Sequence, residues 1–517
     1  MQQRQTQRGN KSVNYTLPAP VGGLNARDSV DKMNQADAIV MDNYIPMDTK
    51  VVLRRGYAEY VRLNAAVKTL AEYKKPGGDR LIAVAGGKAW NITSKAHVTP
   101  LSPSFKDNAC QTFQYKDRLF FVNGADTPKV FYVDESGDDV FDDWGFTHES
   151  LVPERIINVS VSKQFLWFVE KDTLKAWYPK VGGSVAGELV YFDLSAVARF
   201  GGRLVAVLNW TQDGGQGIDD LTVFLTSEGE ALVYGGSNPN NAEDWALKGS
   251  YKISKPIGWR CAMQYQGDVV IITEDGYIPL AKALPLERAN ASQIAFSDKI
   301  RGLVLERAKS NRDKEGWQSV IYGRGGYAIF NVPAANQFEQ HVVNLNNGAW
   351  CRFTNIRAFC WGLFQDRAYF GSDTSVFLFD EGYSDNGSHI LGEVQQAFTS
   401  LGTPNLKKIQ LLNPRTKSST QYALVIYTNM DFEERKVGYQ ENIGSSGMTK
   451  WDVAEWSSLD NPIGTKWATL RGKIRSQWIA NSATGFKASI VFKTKTRGNL
   501  IEWYDTGVRY EQGSGIL

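Results

Sequence analysis

The chain has 517 residues, with 58 Lys and Arg, 55 Asp and Glu, and a formal net charge of +3. A single compact core is excluded at this length, so we expect two or three domains. No apolar run reaches the length of a membrane span, and the N-terminus lacks the apolar core of a secretory signal. We therefore predict neither a membrane span nor a secretory signal, and we expect the protein to be synthesised in a cytosol. The near-neutral charge does not indicate that the chain as a whole binds nucleic acid.

Residues 1–50 are predicted to form an extended N-terminal arm. The part up to about Asn25 is polar and rich in Gln, and it cannot bury enough apolar surface to fold alone. We expect it to dock on a neighbouring subunit or a connector protein, and a solvated tail is the alternative. Ala36–Tyr44 is predicted to be a short helix or turn. The candidate docking residues of the arm are its first cations, Arg4, Arg8 and Lys11.

Residues 51–388 repeat one pattern, an apolar strand, a short turn and a second apolar strand. Recurrence at roughly 40 to 50 residues is typical of propeller blades, each of which buries a sheet face only by stacking on the next. We predict an irregular β-propeller of about five to seven blades, with a large β-sandwich as the alternative. The predicted hairpins pair Leu81–Ala85 with Ala89–Thr93, Leu119–Asn123 with Val130–Val133, Phe165–Glu170 with Leu174–Tyr178, Val320–Tyr322 with Tyr327–Val332, and Ala368–Gly371 with Val376–Asp380.

The stretch Asn209–Leu284 shows the pattern most clearly. Leu221–Thr226 and Ala231–Tyr234 flank a tight turn at Glu228-Gly229. Val269–Thr273 is an apolar run short enough for a buried strand. One segment breaks the β pattern, because Ser297–Lys309 has apolar residues at helical spacing. We predict a short helical insertion there, capped by the Ser297 side chain.

Residues 389–517 are predicted to form a separate C-terminal β domain, a sandwich or barrel with longer strands. Between Asp460 and Glu502 the sequence has no acidic residue. Two strands in this region each place three cations on one face, since alternate residues of a strand share a face. We predict that these cations contact DNA phosphates or an acidic partner, and a solvated face is the alternative. They are Arg471, Lys473 and Arg475, and Lys493, Lys495 and Arg497.

No constellation of residues predicts catalysis. Asp213, Asp219 and Asp220 lie within one Gly-rich loop, so they cannot supply a separate general acid and base. We predict that they are turn formers whose side chains accept hydrogen bonds from backbone N–H groups. The four cysteines show no disulfide or metal-site spacing and are predicted to be small buried residues. We therefore expect no enzyme activity, no cofactor and no metal.

Three stretches carry a resemblance to a known family. Asn209–Leu284 contains GGQGIDD, TSEGE, GWRC and GDVVIITEDGYIPL, and the other two are Val21–Tyr57 and Val342–Gly371. Together they resemble tail structural proteins of short-tailed bacteriophages. Those proteins are nozzles or hubs with a propeller-like body, at or below the head–tail connector.

The resemblance implies a structural protein of the virion tail. It implies a homo-oligomeric ring, a hexamer by analogy, that meets a connector or adaptor protein and could hold tail fibres or spikes. The genome would pass through the ring with transient, non-specific contact. Two alternatives stay open: a β-propeller that binds or degrades polysaccharide, and a host-cell propeller that binds other proteins.

Overall fold

A computed structural model of the chain describes residues 12–76, 78–213, 218–283, 295–334, 338–419, 422–439 and 473–513. These residues are mostly β, and their strands are numbered β1 to β40 in chain order. They fall into two compact units. The first unit comprises Glu59–Val342 and Thr354–Phe379. The second comprises the chain up to Ala58, Val343–Phe353 and the chain from Asp380 onward.

The first unit is a six-bladed β-propeller, as the sequence predicted. Its first four blades are antiparallel meanders of four main strands, and β15 adds to the third blade in parallel. The strands of these blades are β7 (Val67–Tyr73), β8 (Arg80–Ala85), β9 (Lys88–Ser94) and β10 (His97–Ser104); β11 (Gln111–Tyr115), β12 (Arg118–Val122), β13 (Lys129–Val133) and β14 (Asp139–Asp143); β15 (Phe146–Thr147), β16 (Ile156–Ser162), β17 (Phe165–Glu170), β18 (Lys175–Pro179) and β19 (Gly187–Asp193); β20 (Leu204–Asp213), β21 (Ile218–Thr226), β22 (Glu230–Gly235) and β23 (Ala246–Lys252).

The fifth and sixth blades complete the ring. In the sixth, a strand from before the first blade pairs with the last strand, so both ends of the propeller sequence close one sheet. A further meander of three strands lies between these two blades in sequence. The strands are β24 (Ala262–Tyr265), β25 (Asp268–Thr273) and β26 (Gly276–Pro279); β31 (Cys360–Phe364), β32 (Arg367–Gly371), β33 (Ser375–Phe379) and the closing β6 (Tyr57–Arg62); and, in the meander, β27 (Gln318–Tyr322), β28 (Tyr327–Val332) and β29 (Glu339–Asn344).

Alternation along each strand explains how the blades stack. In β17, Trp167 and Val169 pack between the third and fourth blades, whereas Leu166 and Phe168 pack between the second and third. Both faces of the strand are therefore apolar and buried, and the sequence reads as an unbroken apolar run. The Trp167 ring stacks on Trp245 with the centroids 5.8 Å apart. Each blade thus depends on both of its neighbours for its core.

The predicted helical insertion is present, but its cap is not the predicted one. The described residues contain two short helices, α1 (Leu280–Ala283) and α2 (Arg301–Asn311), and a 3-10 turn precedes α2. Ser297 makes no capping bond, since its Oγ accepts the N–H of Tyr277 at 2.9 Å. The hydroxyl serves the adjacent strand β26 instead of the helix. Neither of these helices has the length and apolar character needed to cross a membrane.

The second unit is a β-sandwich, the fold class predicted for residues 389–517, but it also includes the chain up to Ala58 and Val343–Phe353. One sheet has the order β37-β35-β40-β5-β4 with β1 added to β40 and β38 to β35, and six strands of the other pair in the order β30-β2-β3-β34-β39-β36. Phe492 and Trp503, from different sheets, stack with centroids 4.4 Å apart. The strands are β1 (Ser12–Pro18), β2 (Gly23–Leu24), β3 (Asp37–Asp42), β4 (Tyr44–Pro46), β5 (Val51–Leu53), β30 (Trp350–Phe353), β34 (Ile390–Gln396), β35 (Lys407–Ser418), β36 (Ala423–Met430), β37 (Lys473–Ser476), β38 (Ile479–Gly485), β39 (Ala488–Thr496) and β40 (Ile501–Gln512).

The N-terminal segment differs from its prediction. Ser12–Pro18 pairs antiparallel with β40 of the same chain over its full length, and the side chain of Leu17 is fully buried. Ala36–Tyr44 is not a helix or turn, because it forms β3 and the start of β4. The polar composition of this segment, considered by itself, predicted an arm. Its pairing with the distant strand β40 supplies the hydrogen bonds and apolar contacts that the segment cannot make alone. Strands from both ends of the chain therefore build one sandwich.

Candidate functional site: the axial cavity of the propeller

Inner strands of the propeller line an open cavity of about 490 Å³. Residues of β7, β11, β16, β20, β24 and β27 line it, so it lies where the first five blades and the further meander converge. Among the described residues that line it, Arg260 is the sole charged one, and the rest have apolar, hydroxyl or amide side chains. A concave site with a few polar groups among apolar ones is the usual form of a ligand pocket, and its volume lies in the range of about 300–1,000 Å³ seen for such pockets.

Glutamine side chains join the blades around this cavity. Gln111 of β11 donates from Nε2 to the Val159 carbonyl at 3.0 Å and accepts the Val159 N–H at Oε1 at 2.8 Å. Gln318 of β27 makes the same pair of bonds to Trp361 of β31, at 2.9 and 3.0 Å. A primary amide presents one donor and one acceptor side by side, as a peptide group does. Each glutamine thus links two strands of different sheets, which have no backbone hydrogen bonds to each other.

Arg260 ties three segments together at the cavity wall. Its Nη2 donates to the Lys68 carbonyl at 3.1 Å, to Thr69 Oγ1 at 3.0 Å and to the Cys110 carbonyl. These acceptors belong to the inner edges of the first and second blades. None of the ion pairs found within the described residues involves Arg260, and its Nε and Nη1 make no hydrogen bond there. The guanidinium therefore keeps donors for a further partner.

Within the part of the chain that the structure describes, three polar side chains that line the cavity have a buried atom without a hydrogen-bond partner. Asn158 is 5% exposed and its Oδ1 is unpartnered, as are the Oγ atoms of Ser160 and Ser319. Buried polar atoms normally have partners, because an unmade hydrogen bond costs about 1–3 kcal/mol. Each of these atoms has less than 1 Å² of accessible surface, so the unmet hydrogen-bonding capacity lies within the wall of the cavity and not on its open face.

A second cavity of about 190 Å³ adjoins this wall. Trp259 and Arg260 line both cavities, so the two side chains lie between them. An ion pair borders the smaller cavity, with Lys68 Nζ 2.7 Å from Glu315 Oε2. The larger cavity is thus bounded on one side by an aromatic ring and a guanidinium.

The thiol in the axial cavity is not an activated nucleophile. Burial raises the pKa of Cys110 from its ordinary value of 9.0 to about 12, against the opposing charge of Arg260. The thiolate is the reactive form of cysteine, and almost none is present at neutral pH with such a pKa. All four cysteines are free and buried, which confirms the prediction from their spacing. Cys110 therefore does not supply a nucleophile to the cavity.

The predicted cationic strands are not brought together in one sheet. Lys473 and Arg475 lie on β37, whereas Lys493 and Lys495 lie on β39 in the opposite sheet, and the exposed Arg497 follows β39. The side chain of Lys473 lies outside the described residues, as do Arg471 and the predicted docking residues Arg4, Arg8 and Lys11.

Lys493 pairs with an acidic residue that is distant from it in the sequence. Its Nζ lies 2.9 Å from Glu393 Oε1 on the adjacent strand β34, and only 12% of its side chain is exposed. The charge is therefore offset within the chain. For this residue the chain itself thus supplies the offsetting charge that we expected from DNA or a partner protein, and contact with either stays a prediction. Arg475 is half-buried with an unpartnered Nε, so of the six cations only Arg497 is described as exposed.

The acidic residues of the Gly-rich loop lie mostly on strands. Asp213 and Asp219 fall on β20 and β21, and their side chains lie outside the described residues. Asp220 accepts a hydrogen bond from Thr211 Oγ1 at 2.8 Å, across the hairpin. Within the described residues this side chain bonds to a hydroxyl, and the backbone N–H groups of 214–217, which the prediction concerned, lie outside them. The described residues contain no group of His, Cys, Asp and Glu side chains arranged to hold a metal ion.

Most of this site could not be predicted from the sequence. Arg260 stood within the GWRC motif, but nothing in the motif showed what it contacts. A usable signal was present in β16, where Asn158, Ser160 and Ser162 alternate with buried apolar residues. Such alternation places polar side chains on one face of an inner strand. The chain matches no family model, and a search of curated proteins found no similar sequence.

Proposed function

We propose that this protein is a structural component of the tail of a short-tailed bacteriophage, a nozzle or hub below the head–tail connector. In this proposal several copies form a ring, six by the resemblance. The ring meets a connector or adaptor protein and could carry fibres or spikes. The genome is retained and then ejected through its channel. The protein acts in the virion tail after synthesis in the host cytoplasm, and carries no enzymatic activity.

One observation supports an architectural role for the residues that carry the resemblance. Two of the resembling stretches, far apart in the chain, meet as neighbouring strands of the sandwich, with Gly23 of β2 opposite Trp350 of β30. Asp42 and Arg352 join them further along through two bonds of 2.8 and 2.7 Å. A side chain at Gly23 would not fit, because its Cβ would lie 2.5 Å from the Trp350 carbonyl oxygen. These residues serve strand contact and packing.

The test is the oligomeric state and shape of the purified full-length chain. We expect light scattering to give the mass of a closed ring, and negative-stain electron microscopy to show an axial opening. Deleting Met1–Asn10 is expected to weaken the ring. The circular dichroism spectrum and the melting temperature should stay unchanged, because the deletion leaves β1 and the rest of the subunit body in place. A monomer at all concentrations, with and without the connector protein, would refute the proposal.

DNA contact is tested separately. We expect Arg475→Glu with Arg497→Glu to change DNA retention or ejection in assembled virions, since phosphate contacts depend on charge and not on sequence. Lys493→Glu is not informative in this respect, because that change also breaks the pair with Glu393. Normal assembly, retention and ejection in the double variant would leave these cations without a role in DNA contact.

A further inference from the structure

We propose that the turn after β36 in one copy of the chain inserts the Phe432 side chain into the smaller cavity of the propeller of a second copy. The inference rests on the self-association that is part of the proposed function, and it names the two surfaces that meet. Three features carry it, which are a strained turn that exposes an aromatic side chain, an aromatic cavity that has room for one ring, and complementary charges beside both.

The turn after β36 holds an aromatic side chain in a strained position. Asp431 and Phe432 have positive φ values of 48° and 69°, and they lie between the bridged residues Met430 and Glu433. A bulky side chain is uncommon in this backbone region and is strained there. The phenyl ring packs on Phe398 with the centroids 4.7 Å apart, yet 42% of Phe432 stays exposed. The chain thus presents a phenyl ring at a position where glycine would be free of strain.

A neighbouring turn fixes the position of this ring. The two carboxylate oxygens of Asp431 accept the N–H of Phe486 at 2.8 and 3.1 Å, and Oδ1 also accepts the N–H of Lys487 at 2.8 Å. In return, the N–H of Asp431 donates to the Lys487 carbonyl at 2.9 Å. Phe486 is 50% exposed, so adjacent turns carry two exposed aromatic side chains. Exposed apolar groups in a fixed arrangement are typical of an interaction surface, because little conformational entropy is lost on binding.

The smaller cavity of the propeller has room for one aromatic ring. Trp259, Trp317 and Phe359 line it together with Ala109. Its volume is about 190 Å³, and an apolar cavity of about 150 Å³ is enough to hold benzene. The volume lies below the range of about 300–1,000 Å³ that is usual for the pockets of small-molecule ligands. A single phenyl side chain therefore suits this cavity better than a free ligand.

The charges beside the two surfaces are complementary. Among the described residues that line the smaller cavity, Arg260 and Lys314 have no ion pair, whereas the other two cations have carboxylate partners. Phe432 is followed by Glu433 and Glu434, which are exposed and form no ion pair within the described residues. Acidic groups next to the inserted ring would thus meet cations beside the cavity. Complementary charges at the edge of an interface speed association and favour one partner and one orientation.

These charges favour a second copy over a membrane surface as the partner of the turn. Binding to an anionic membrane requires cations around the exposed apolar side chains. Here Glu433 and Glu434 lie nearer to Phe432 in the sequence than Arg435 and Lys436 do. The turn and the cavity are different surfaces of one chain, so their contact is head-to-tail. A contact of this kind closes a ring when the rotation from copy to copy permits it.

The experiment compares the self-association of full-length variants by analytical ultracentrifugation. Phe432→Gly is expected to weaken self-association about tenfold or more, because it removes the side chain that fills the cavity. The circular dichroism spectrum should stay that of the wild type, since glycine adopts this backbone region without strain. Phe200→Gly is the matched control, because Phe200 is 51% exposed but belongs neither to the turn nor to the cavity lining. Its self-association should equal that of the wild type.

A mixing experiment tests whether the turn and the cavity are partners. Ala109→Leu is expected to weaken self-association to a similar degree, because the larger side chain takes up space in the cavity. An equimolar mixture of Phe432→Gly and Ala109→Leu should form a 1:1 complex and nothing larger, since only one intact contact remains. Lys314→Glu is a second cavity variant at an exposed position, where folding is not at risk. It should weaken self-association about fivefold by repelling the acidic residues, and Glu433→Lys should restore it.

The outcomes separate this contact from the proposed function. Wild-type self-association of both Phe432→Gly and Lys314→Glu would overturn the contact and leave the proposed ring in place. Two weakened variants that give no mixed complex would also contradict it, because the turn and the cavity would then bind other surfaces. A wild-type chain that stays monomeric at all concentrations would refute the proposed function and the contact together.

Discussion

Single residues hold the sandwich together where distant parts of the chain meet. Arg54 is fully buried and its two Nη atoms bind the carboxylate of Asp385 at 2.8 and 2.7 Å, while its Nε donates to Asn43. A buried pair of this kind is costly to break from one side, because the remaining charge is left without a partner in a medium of low polarity. Its geometry, with two parallel bonds, is the favourable one for Arg and a carboxylate.

Asp385→Asn is expected to destabilise the protein by about 3–5 kcal/mol, since it leaves the Arg54 charge buried and unpaired. Urea denaturation followed by tryptophan fluorescence measures the loss. The matched control is Asp373→Asn, which removes the same charge from the exposed pair with Arg357 and should cost about 1 kcal/mol or less. Equal effects of the two substitutions would show that burial does not decide the value of the Arg54 pair.

The buried thiols make stability depend on alkaline pH. Burial raises the pKa of Cys110, Cys261 and Cys360 from 9.0 to about 12 in the folded chain. In the unfolded chain these thiols ionise near pH 9, so the unfolded state loses protons first as the pH rises. The contribution of each thiol to stability is complete below pH 9 and is lost between pH 9 and 12.

We therefore expect the free energy of unfolding to fall as the pH rises above 9, and to fall less steeply in Cys261→Ala. Urea titrations at pH 8, 9, 10 and 11 give the two slopes, and the wild-type chain controls for the lysines and tyrosines that titrate in the same interval. Parallel slopes would mean that Cys261 ionises equally in both states.

At the scale of elements, glutamine side chains form hydrogen bonds to the backbone of neighbouring blades. Gln114 of β11 bonds the carbonyl and the N–H of Lys74 at 2.7 and 2.8 Å, and Gln111 bonds Val159 in the same way. One strand thus binds a neighbouring blade on each side. We infer that this device sets the spacing of the inner strands and hence the shape of the axial cavity.

Gln111→Met is expected to cost about 2 kcal/mol, because it keeps the length of the side chain and leaves the buried backbone groups of Val159 without partners. Gln264→Met serves as control, since Gln264 is exposed on β24 and makes one long bond of 3.5 Å to Asn209. Chemical denaturation of both variants tests the difference. A loss for Gln111→Met no larger than that of the control would exclude the clamp as a source of stability.

At the scale of the whole propeller, ring closure depends on β6. This strand is the outermost of the sixth blade, and its Val61 packs in one cluster with residues of the first and sixth blades. Gly371 of the same blade comes so near the first that a Cβ there would lie 2.4 Å from the Val67 carbonyl oxygen. The last blade therefore stacks directly on the first.

Val61→Asp is expected to destabilise the protein by about 3 kcal/mol or more, because it buries an unpaired charge at the closure. Thermal unfolding monitored by circular dichroism measures the change. Val181→Asp makes the same substitution at a site that is 67% exposed and should stay within about 0.5 kcal/mol of the wild type. If Val61→Asp melts like the wild type, the propeller does not need β6 to close.

The sequence by itself determined the local elements. Alternation of side chains and turn residues act over a few positions, so the hairpins and the helix position followed from short windows. The Glu228-Gly229 turn is an example: it joins β21 to β22, with Gly229 at a φ of +76° that favours glycine. For the same reason the blade pattern, repeated along the chain, was enough to predict a propeller.

Only the tertiary structure decided which distant groups meet. The alternation in β39 showed that Lys493 and Lys495 share a face, but not that Glu393 lies beside Lys493 on the adjacent strand. Likewise, the polarity of the first residues could not show that Ser12–Pro18 pairs with β40. Which strands become neighbours depends on the packing of the whole chain, and a pattern along one strand carries no information about its partner. The axial cavity also depends on the packing of the whole chain. Its polar groups come from strands that are separated in sequence and come together only when the ring closes.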